Sequence, residues 1–477
     1  MSYRLSIRGT YAKLTGDLTL EEHIRLADSL AYYPGDNLGD CFQMYSNGVC
    51  YRGVVDDLLV LLKREGIVPE IDDSSTKVRN PDKHTFLRED VFPENLESVD
   101  KMSEAGFGVL VAPPGSGKTV CMAGITCAYG VKTAIVVQQR EVMDQALDAF
   151  KNFTDIKNVG VLGNGKKDLQ DVTVVTIQTL NKKLGVDKEI TDWWMSVECV
   201  IIDECHHGVA DSYLKAIQHA KASRFFHGVT ATYRRDCELD YALNKLFGPV
   251  VHSIQYKTQI DLGTIVPTTF FFDPVKPKNY GFTSDGSNQN RSQNKRLQEM
   301  QQVYRDYIVN GSTGRNKQIL KFVEACRENN RTVVCVVKVI EHAEVLAKII
   351  PDSVILHGKT PAKLREQILD QLKHREIDCV ISTLFDEAVN IPSLDAVALV
   401  AGGKSTVKAE QRLRATRSCD KVLRTGRYTK TRGFVYYPID RADYLIGHST
   451  STKAFYKGIA AQHPDNKVVE LPDTHNR

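Results

Sequence analysis

The sequence predicts an α/β protein with two tandem parallel-sheet domains and a small N-terminal α+β domain. Three observations predict it. Short apolar runs alternate with helix-patterned segments through two successive series, one on each side of about residue 262. The first series holds a Gly-rich turn ending in Lys-Thr, directly after an apolar run. Residues 1–85 have strand and helix patterning but no such turn.

In the N-terminal part, residues 1–85, Tyr3, Leu5 and Ile7 alternate with Arg4, Ser6 and Arg8, the period of a half-buried strand. A helix is expected near Val54–Glu65, stopped by Gly66, and the polar stretch Asp72–His84 reads as a linker. Residues 86–262 then supply strands at Gly108–Ala112, Thr133–Val137, Val172–Ile177, Cys199–Ile202 and Phe226–Thr230. Residues 263–477 supply a second series at Thr332–Val337, Ser353–Leu356, Asp378–Ile381, Ala396–Val400 and Gly433–Tyr437, with no phosphate cradle of its own. Between the series, residues 283–296 are almost free of apolar side chains and read as a flexible polar loop.

The run Val109-Leu110-Val111-Ala112-Pro113-Pro114-Gly115-Ser116-Gly117-Lys118-Thr119 is the strongest chemical signal. Its glycines let backbone N–H groups approach phosphates, and the N-terminus of the following helix adds a favourable dipole. Pro114, Gly115, Ser116, Gly117, Lys118 and Thr119 are therefore the expected cradle for ATP. Lys118 is placed to reach the β- and γ-phosphates and Thr119 to hold Mg²⁺. The match is slightly loose, since Ala112 stands where the general pattern has its first glycine.

Some 85 residues after Lys118, the apolar run Cys199-Val200-Ile201-Ile202 ends in Asp203-Glu204-Cys205-His206-His207. In open parallel sheets ligands bind at the strands' C-terminal edge, where this acid pair falls. Asp203 is expected to orient Mg²⁺ and Glu204 to polarise the water that attacks the γ-phosphate. A solvated acidic turn would need no cradle ahead of it. His206 and His207 have no Cys or His at zinc-ligand spacing nearby.

Hydrophobic content of 42% with 25% charged residues is that of an ordinary soluble globular chain. No run approaches the ~18 apolar residues of a membrane span, and the Met-Ser-Tyr-Arg start lacks an apolar signal core, so a cytoplasmic location is expected. Eleven cysteines without a Cys-x-x-Cys pair suggest reduced thiols. The net charge of +3 decides nothing about partners, but its distribution does. Between residues 404 and 432 ten Lys or Arg residues meet only Glu410 and Asp420. Such a cluster suits phosphate, of ATP or of nucleic acid, and a solvated basic face is the plain alternative. Within it Arg414 and Arg417 lie three apart on one helical face, where arginines can supply charge to a phosphoryl-transfer transition state.

The order AppGSGKT, DECHH, TATyRR, TlfdEavniP and QRlRatR resembles the motor core of superfamily 2 helicases and translocases over about 380 residues. GVTATYRRD, LFGPV, VIEHAEVLA, LHGK and LFDEAVNIPSLD are most similar to the branch holding phage UvsW-type branch-migrating helicases and their XPB-like and RecG-like relatives. The resemblance implies two RecA-like domains, with Glu387 joining the nucleotide-binding set and Arg414 and Arg417 completing the catalytic one. It implies DNA contacts, to forked or branched duplex and single strand, from Gln139, Arg140, Thr176, Gln178, Lys338, His342 and Thr383. It also implies 3′ to 5′ movement, with ATP closing a cleft between the two domains and hydrolysis reopening it. Arg4, Arg8 and Arg52 are candidate junction contacts in the N-terminal domain.

Departures from the pattern matter. Glu410 and Leu413 stand where the family has Gln and Gly, and Ala388 and Asn390 where it has Gly and Asp. The Gln that reads adenine is missing, with Asn95 at the nearest position. The resulting expectation is an ATP-dependent DNA motor that remodels forks and junctions. An RNA-directed or transcription-linked motor and a non-hydrolysing nucleotide switch remain as alternatives, the last disfavoured by Glu204 and the paired arginines.

Overall fold

The computed structural model describes residues 3–33, 42–73, 79–113, 115–231, 240–263, 265–280, 293–384, 393–402 and 430–473. Two compact units divide the chain, Met1–Gln255 and Tyr256–Arg477.

The first unit opens with a five-stranded sheet: β1 (Arg4–Ile7), β2 (Tyr11–Thr15), β3 (Tyr45–Ser46), β4 (Val49–Tyr51) and β5 (Glu70–Asp73), in the order β3-β4-β2-β1-β5. The alternation read in β1 is realised, with Leu5 and Ile7 buried and Arg4 exposed. Helices Leu20–Ser29 and Val55–Arg64 cover this sheet. The first begins at a capping box in which Thr19 and Glu22 satisfy each other's backbone N–H groups.

This small domain is seated on the larger sheet that follows. The Gly9 N–H donates to the Ser223 carbonyl at 2.8 Å, Asp57 pairs with Lys245 at 2.5 Å, and a Cβ at Gly53 would strike the Lys245 carbonyl. Arg52 lies 5.1 Å over the Phe107 ring and pairs with Asp73 at 3.3 Å, while Arg4 pairs with Glu70. Arg52 is thus a docking residue, its charge turned inward, which corrects its placement as a junction contact. The polar stretch read as a linker is also anchored: its start completes β5, the Asn80 N–H bonds Tyr129 O, and Lys83 pairs with Asp171 at 2.8 Å.

The eight-stranded sheet comprises β6 (Phe107–Val111), β7 (Thr133–Val137), β8 (Val159–Gly163), β9 (Lys166–Asp168), β10 (Val172–Thr176), β11 (Cys199–Asp203), β12 (Phe225–Thr230) and β13 (Val250–Ser253). Its order is β13-β6-β12-β11-β7-β10-β8-β9, parallel except for the β8–β9 hairpin. That hairpin turns at Asn164-Gly165, both with positive φ, as a two-residue turn requires. Strands β7, β10 and β11 are buried at every position, the mark of parallel strands covered on both faces by helices.

The second unit holds a seven-stranded, wholly parallel sheet: β14 (Thr268–Pro274), β15 (Val333–Val336), β16 (Val354–Leu356), β17 (Cys379–Ser382), β18 (Ala396–Leu399), β19 (Gly433–Ile439) and β20 (Lys467–Glu470), in the order β16-β17-β15-β18-β19-β14-β20. The helix Tyr256–Asp261 goes with this unit, where Asp261 accepts from His463 at 3.0 Å. Arg315 is fully buried and held by Asp440 at 2.6 Å, an ion pair that ties the start of helix Arg315–Glu328 to the end of β19. Breaking a buried pair of this kind costs several kcal/mol, typically ~3–5. Cys50, Cys121, Cys127, Cys199, Cys205, Cys326, Cys335 and Cys379 are buried free thiols. No helix among the described residues is long and apolar enough to cross a membrane.

Candidate nucleotide site

Strand β6 runs into residues 112–117 and then into the helix Lys118–Tyr129. Gly115 and Gly117 hold φ of +83° and +84°, left-handed values that strain any side chain. A Cβ on Gly117 would also press on the Asn95 amide at 3.2 Å. The turn thus leaves the first N–H groups of a twelve-residue helix without side-chain caps, the geometry that binds anions. Ser116 Oγ is buried and lacks a hydrogen-bond partner among the described residues. Thr119 lies half-buried in the helix's first turn.

The Lys118 side chain is largely buried, and its Nζ donates to Glu204 Oε1 at 2.6 Å. The other Glu204 oxygen, Oε2, accepts from Thr230 Oγ1 at 3.3 Å and lies 3.3 Å from His206 Nδ1. His206 Nδ1 is also 2.9 Å from Thr230 Oγ1. Three segments therefore converge on one carboxylate: the cradle, the tip of β11 and the end of β12. Burial pushes the Glu204 carboxyl up. The Lys118 charge and the His206 hydrogen bond and charge outweigh it and hold the group well below the usual carboxylate range. Glu204 itself sits at φ 48°, ψ 49°, a left-handed conformation costing about 1 kcal/mol in a non-glycine residue. Asp203, at the last position of β11, is buried beside it.

These residues fit a magnesium-bound nucleoside triphosphate. The uncapped helix N-terminus and Lys118 match phosphate oxygens, Thr119 and Asp203 are hard oxygen donors suited to Mg²⁺, and Glu204 is a charged base. His206, considered above as a metal ligand, instead braces Glu204, and no metal-holding cluster of His, Cys, Asp and Glu occurs among the described residues. Pro114, Glu387, Arg414 and Arg417, the basic cluster except its last two cations, Thr232–Arg235 and residues 283–292 of the polar loop read at 283–296 lie outside the described residues, while residues 293–296 open the helix Gln293–Val303, which corrects the loop reading there.

Residues 87–235 match the family described as type III restriction enzyme, res subunit, and residues 313–418 match the helicase conserved C-terminal domain. The chain belongs to the superfamily 2 helicases. A Rad25-named protein of Haloarcula marismortui is 26% identical over 67% of this chain and 49% of its own length. The DNA 3′-5′ translocase XPB2 of Sulfurisphaera tokodaii is 25% identical over 65% of this chain and 74% of its own. This helicase chain thus spans about half the length of the first of these relatives. The fold is also that of the ATP-dependent type ISP restriction-modification enzyme LlaBIII bound to DNA, at a TM-score of 0.55 and 14% identity over 81% of this chain and 32% of that one.

The residues expected to touch DNA are placed unequally. In the first unit, Arg140 and Gln178 are exposed and Gln139 half-buried just beyond the C-terminal ends of β7 and β10. Thr176 is buried, its hydroxyl donating to Thr179 Oγ1 at 2.8 Å. In the second unit, Lys338 is exposed beyond β15 with its ammonium 5.4 Å over the Tyr304 ring, and Thr383 is half-buried beyond β17. His342 is the correction. It is wholly buried in the helix Ile340–Ile349, with Nε2 3.3 Å from Asn316 Oδ1, and so presents nothing to a ligand.

Burial, reinforced by the Arg315 charge, pushes His342 down to about 3. The unfolded chain takes up a proton below pH 6.5 that the folded state refuses. The stability this gives is complete above that value and is lost as pH falls toward 3. At pH 5 the loss is roughly 2 kcal/mol. His342→Gln is expected to flatten urea-denaturation stability between pH 6.5 and 5, and an unchanged slope would contradict the buried neutral state.

Asn95 is the residue whose role the sequence did not disclose. Its side chain is buried under the cradle, with Nδ2 donating to Ser116 O at 2.6 Å and lying 3.1 Å from Cys121 Sγ. It braces the turn from beneath. The sequence signal was present: Asn95, Val99 and Met102 share the buried stripe of the helix Pro93–Ala105.

Proposed function

We propose that this chain is an ATP-driven DNA motor, a helicase or translocase acting on duplex and branched DNA. The observation that carries the proposal is the convergence of Lys118, Glu204, His206 and Thr230 at the C-terminal edge of the first parallel sheet. Turnover chemistry needs a cradle, a base and a device that senses the nucleotide, and this cluster offers all three. A pure switch protein has no need of a charged, braced glutamate. The XPB2 relative, a DNA 3′-5′ translocase by name, supports DNA as the track.

Incoming phosphate competes with Glu204 for Lys118. When Lys118 turns to the phosphates, Glu204 keeps its hold on Thr230 and His206 and is free to accept a proton from the attacking water. Bound Mg²⁺ would neutralise phosphate charge at Thr119 and Asp203. Thr230 ends β12, so any shift of Glu204 is felt directly at the segment that follows that strand. Arg414 and Arg417 are proposed as transition-state cations. Arg140, Gln178, Lys338 and Thr383 are proposed as backbone contacts that carry no sequence information. Fork regression and junction branch migration are the proposed tasks, with the small N-terminal domain engaging the duplex.

Strand displacement on a labelled forked duplex and a four-way junction tests the proposal. ATP-dependent product from both substrates is expected, and product lost with Glu204→Gln. Translocation without any strand separation would restrict the function to a translocase. No ATP-dependent movement on any DNA would overturn it.

A further inference from the structure

In the second unit, the helix Arg315–Glu328 packs on the sheet beside β14 and β19 and leaves a cavity of about 560 Å³ along its flank. It opens to the surface, and a concavity this large has the size of a ligand site. Its floor is aromatic. Phe322 stacks on Tyr436 with ring centroids 4.6 Å apart, and Phe271 and Phe434 continue the surface at 6.4 Å.

The rim is basic on two sides. Lys317 and Lys321, one helical turn apart and exposed, stand on the first side. Arg331 stands on the other, its guanidinium 3.8 Å over the Phe434 ring. None of the three meets a carboxylate among the described residues. The lining's single carboxylate, Asp273, is already engaged by Tyr436 at 2.7 Å and by Gln318 at 3.0 Å.

Each feature selects the occupant. An aromatic floor wants a bulky apolar group, and three cations flanking it want negative charge on either side. A nucleic-acid track would call for cations in a row along a groove, whereas these flank an apolar pit. We propose that this cavity docks a short acidic segment of a partner protein, with a bulky apolar residue set between its carboxylates. The cations steer the segment in and the rings hold its side chain.

The test is fluorescence anisotropy of the full chain with the labelled peptide Glu-Asp-Phe-Glu-Leu-Asp. Saturable binding that weakens with added salt is expected. Combining Lys317→Glu with Lys321→Glu, both exposed and so harmless to folding, is expected to weaken it at least about tenfold. Ala325→Trp, which fills the cavity from the helix, is expected to do the same without reversing any charge. Serine in place of the peptide's Phe and Leu is expected to abolish binding. A labelled oligo-dT strand serves as the second probe. The proposal is overturned by absent peptide binding, by binding indifferent to the double charge reversal, or by charge reversal that weakens the oligonucleotide but not the peptide. Because Lys118 and Glu204 are untouched, basal ATP hydrolysis stays unchanged in these variants.

Discussion

Glu204→Gln is expected to cut ATP turnover by ~10²–10³-fold or more while leaving nucleotide affinity equal to or tighter than that of the parent chain. The two effects have one origin. Lys118 is committed to Glu204 at 2.6 Å, so binding of a triphosphate must first break that ion pair. Glutamine keeps the shape of the side chain and its bonds to Thr230 and His206, but holds Lys118 far less strongly and cannot accept the proton. Lys118→Ala is expected to lose turnover and affinity together, since it removes the cation from the phosphates. Equilibrium binding of a fluorescent nucleotide beside steady-state kinetics separates the two variants. Normal hydrolysis by Glu204→Gln would remove the glutamate from its role as base.

Asp203→Ala is expected to raise the Mg²⁺ concentration needed for half-maximal turnover at least about tenfold, with kcat lower at saturation. The carboxylate is buried at the tip of β11, next to Glu204 and facing the same strand edge as the cradle. Removing it takes away one of two hard oxygen donors, and Thr119 alone is a neutral and weaker one. Chelation of the metal should stop turnover of the parent chain outright, with activity restored by added Mg²⁺. A variant with the parent's Mg²⁺ dependence would place the metal elsewhere.

Much of this site was legible because parallel strands announce themselves. Cys199–Asp203 and Thr133–Val137 are covered on both faces, so their sequences are continuous apolar runs and their functional ends are where the runs stop. The cradle needs glycines at positive φ, and glycine is visible in sequence. Strands whose burial is partial were harder. β20 reads Lys-Val-Val-Glu and is almost wholly exposed at a sheet edge, and β9 reads Lys-Lys-Asp, so neither has an apolar signature. The strand Thr268–Pro274 is mostly buried, yet the chain before it gives no motif to frame it.

Distances are what sequence does not hold. The order of Lys118 and Glu204 was readable, but that they neutralise each other was not, nor that His206 and Thr230 share the second carboxylate oxygen. The resemblance offers His342 as a DNA contact, but its register decides otherwise. It lies one turn before Leu346, on the buried face of its helix. Asn95 stands nearest the position where the family reads adenine, whereas its stripe with Val99 and Met102 turns it inward.

The central claim is a motor whose ATP site answers to DNA. The most direct measurement is the rate of ATP hydrolysis by the full chain with no nucleic acid, single-stranded DNA, linear duplex, a model fork, a four-way junction and single-stranded RNA. The account predicts weak hydrolysis alone and strong stimulation by the fork and the junction, at any sequence and weakening with salt. Stimulation by RNA above every DNA, or a rate that no nucleic acid changes, would contradict it.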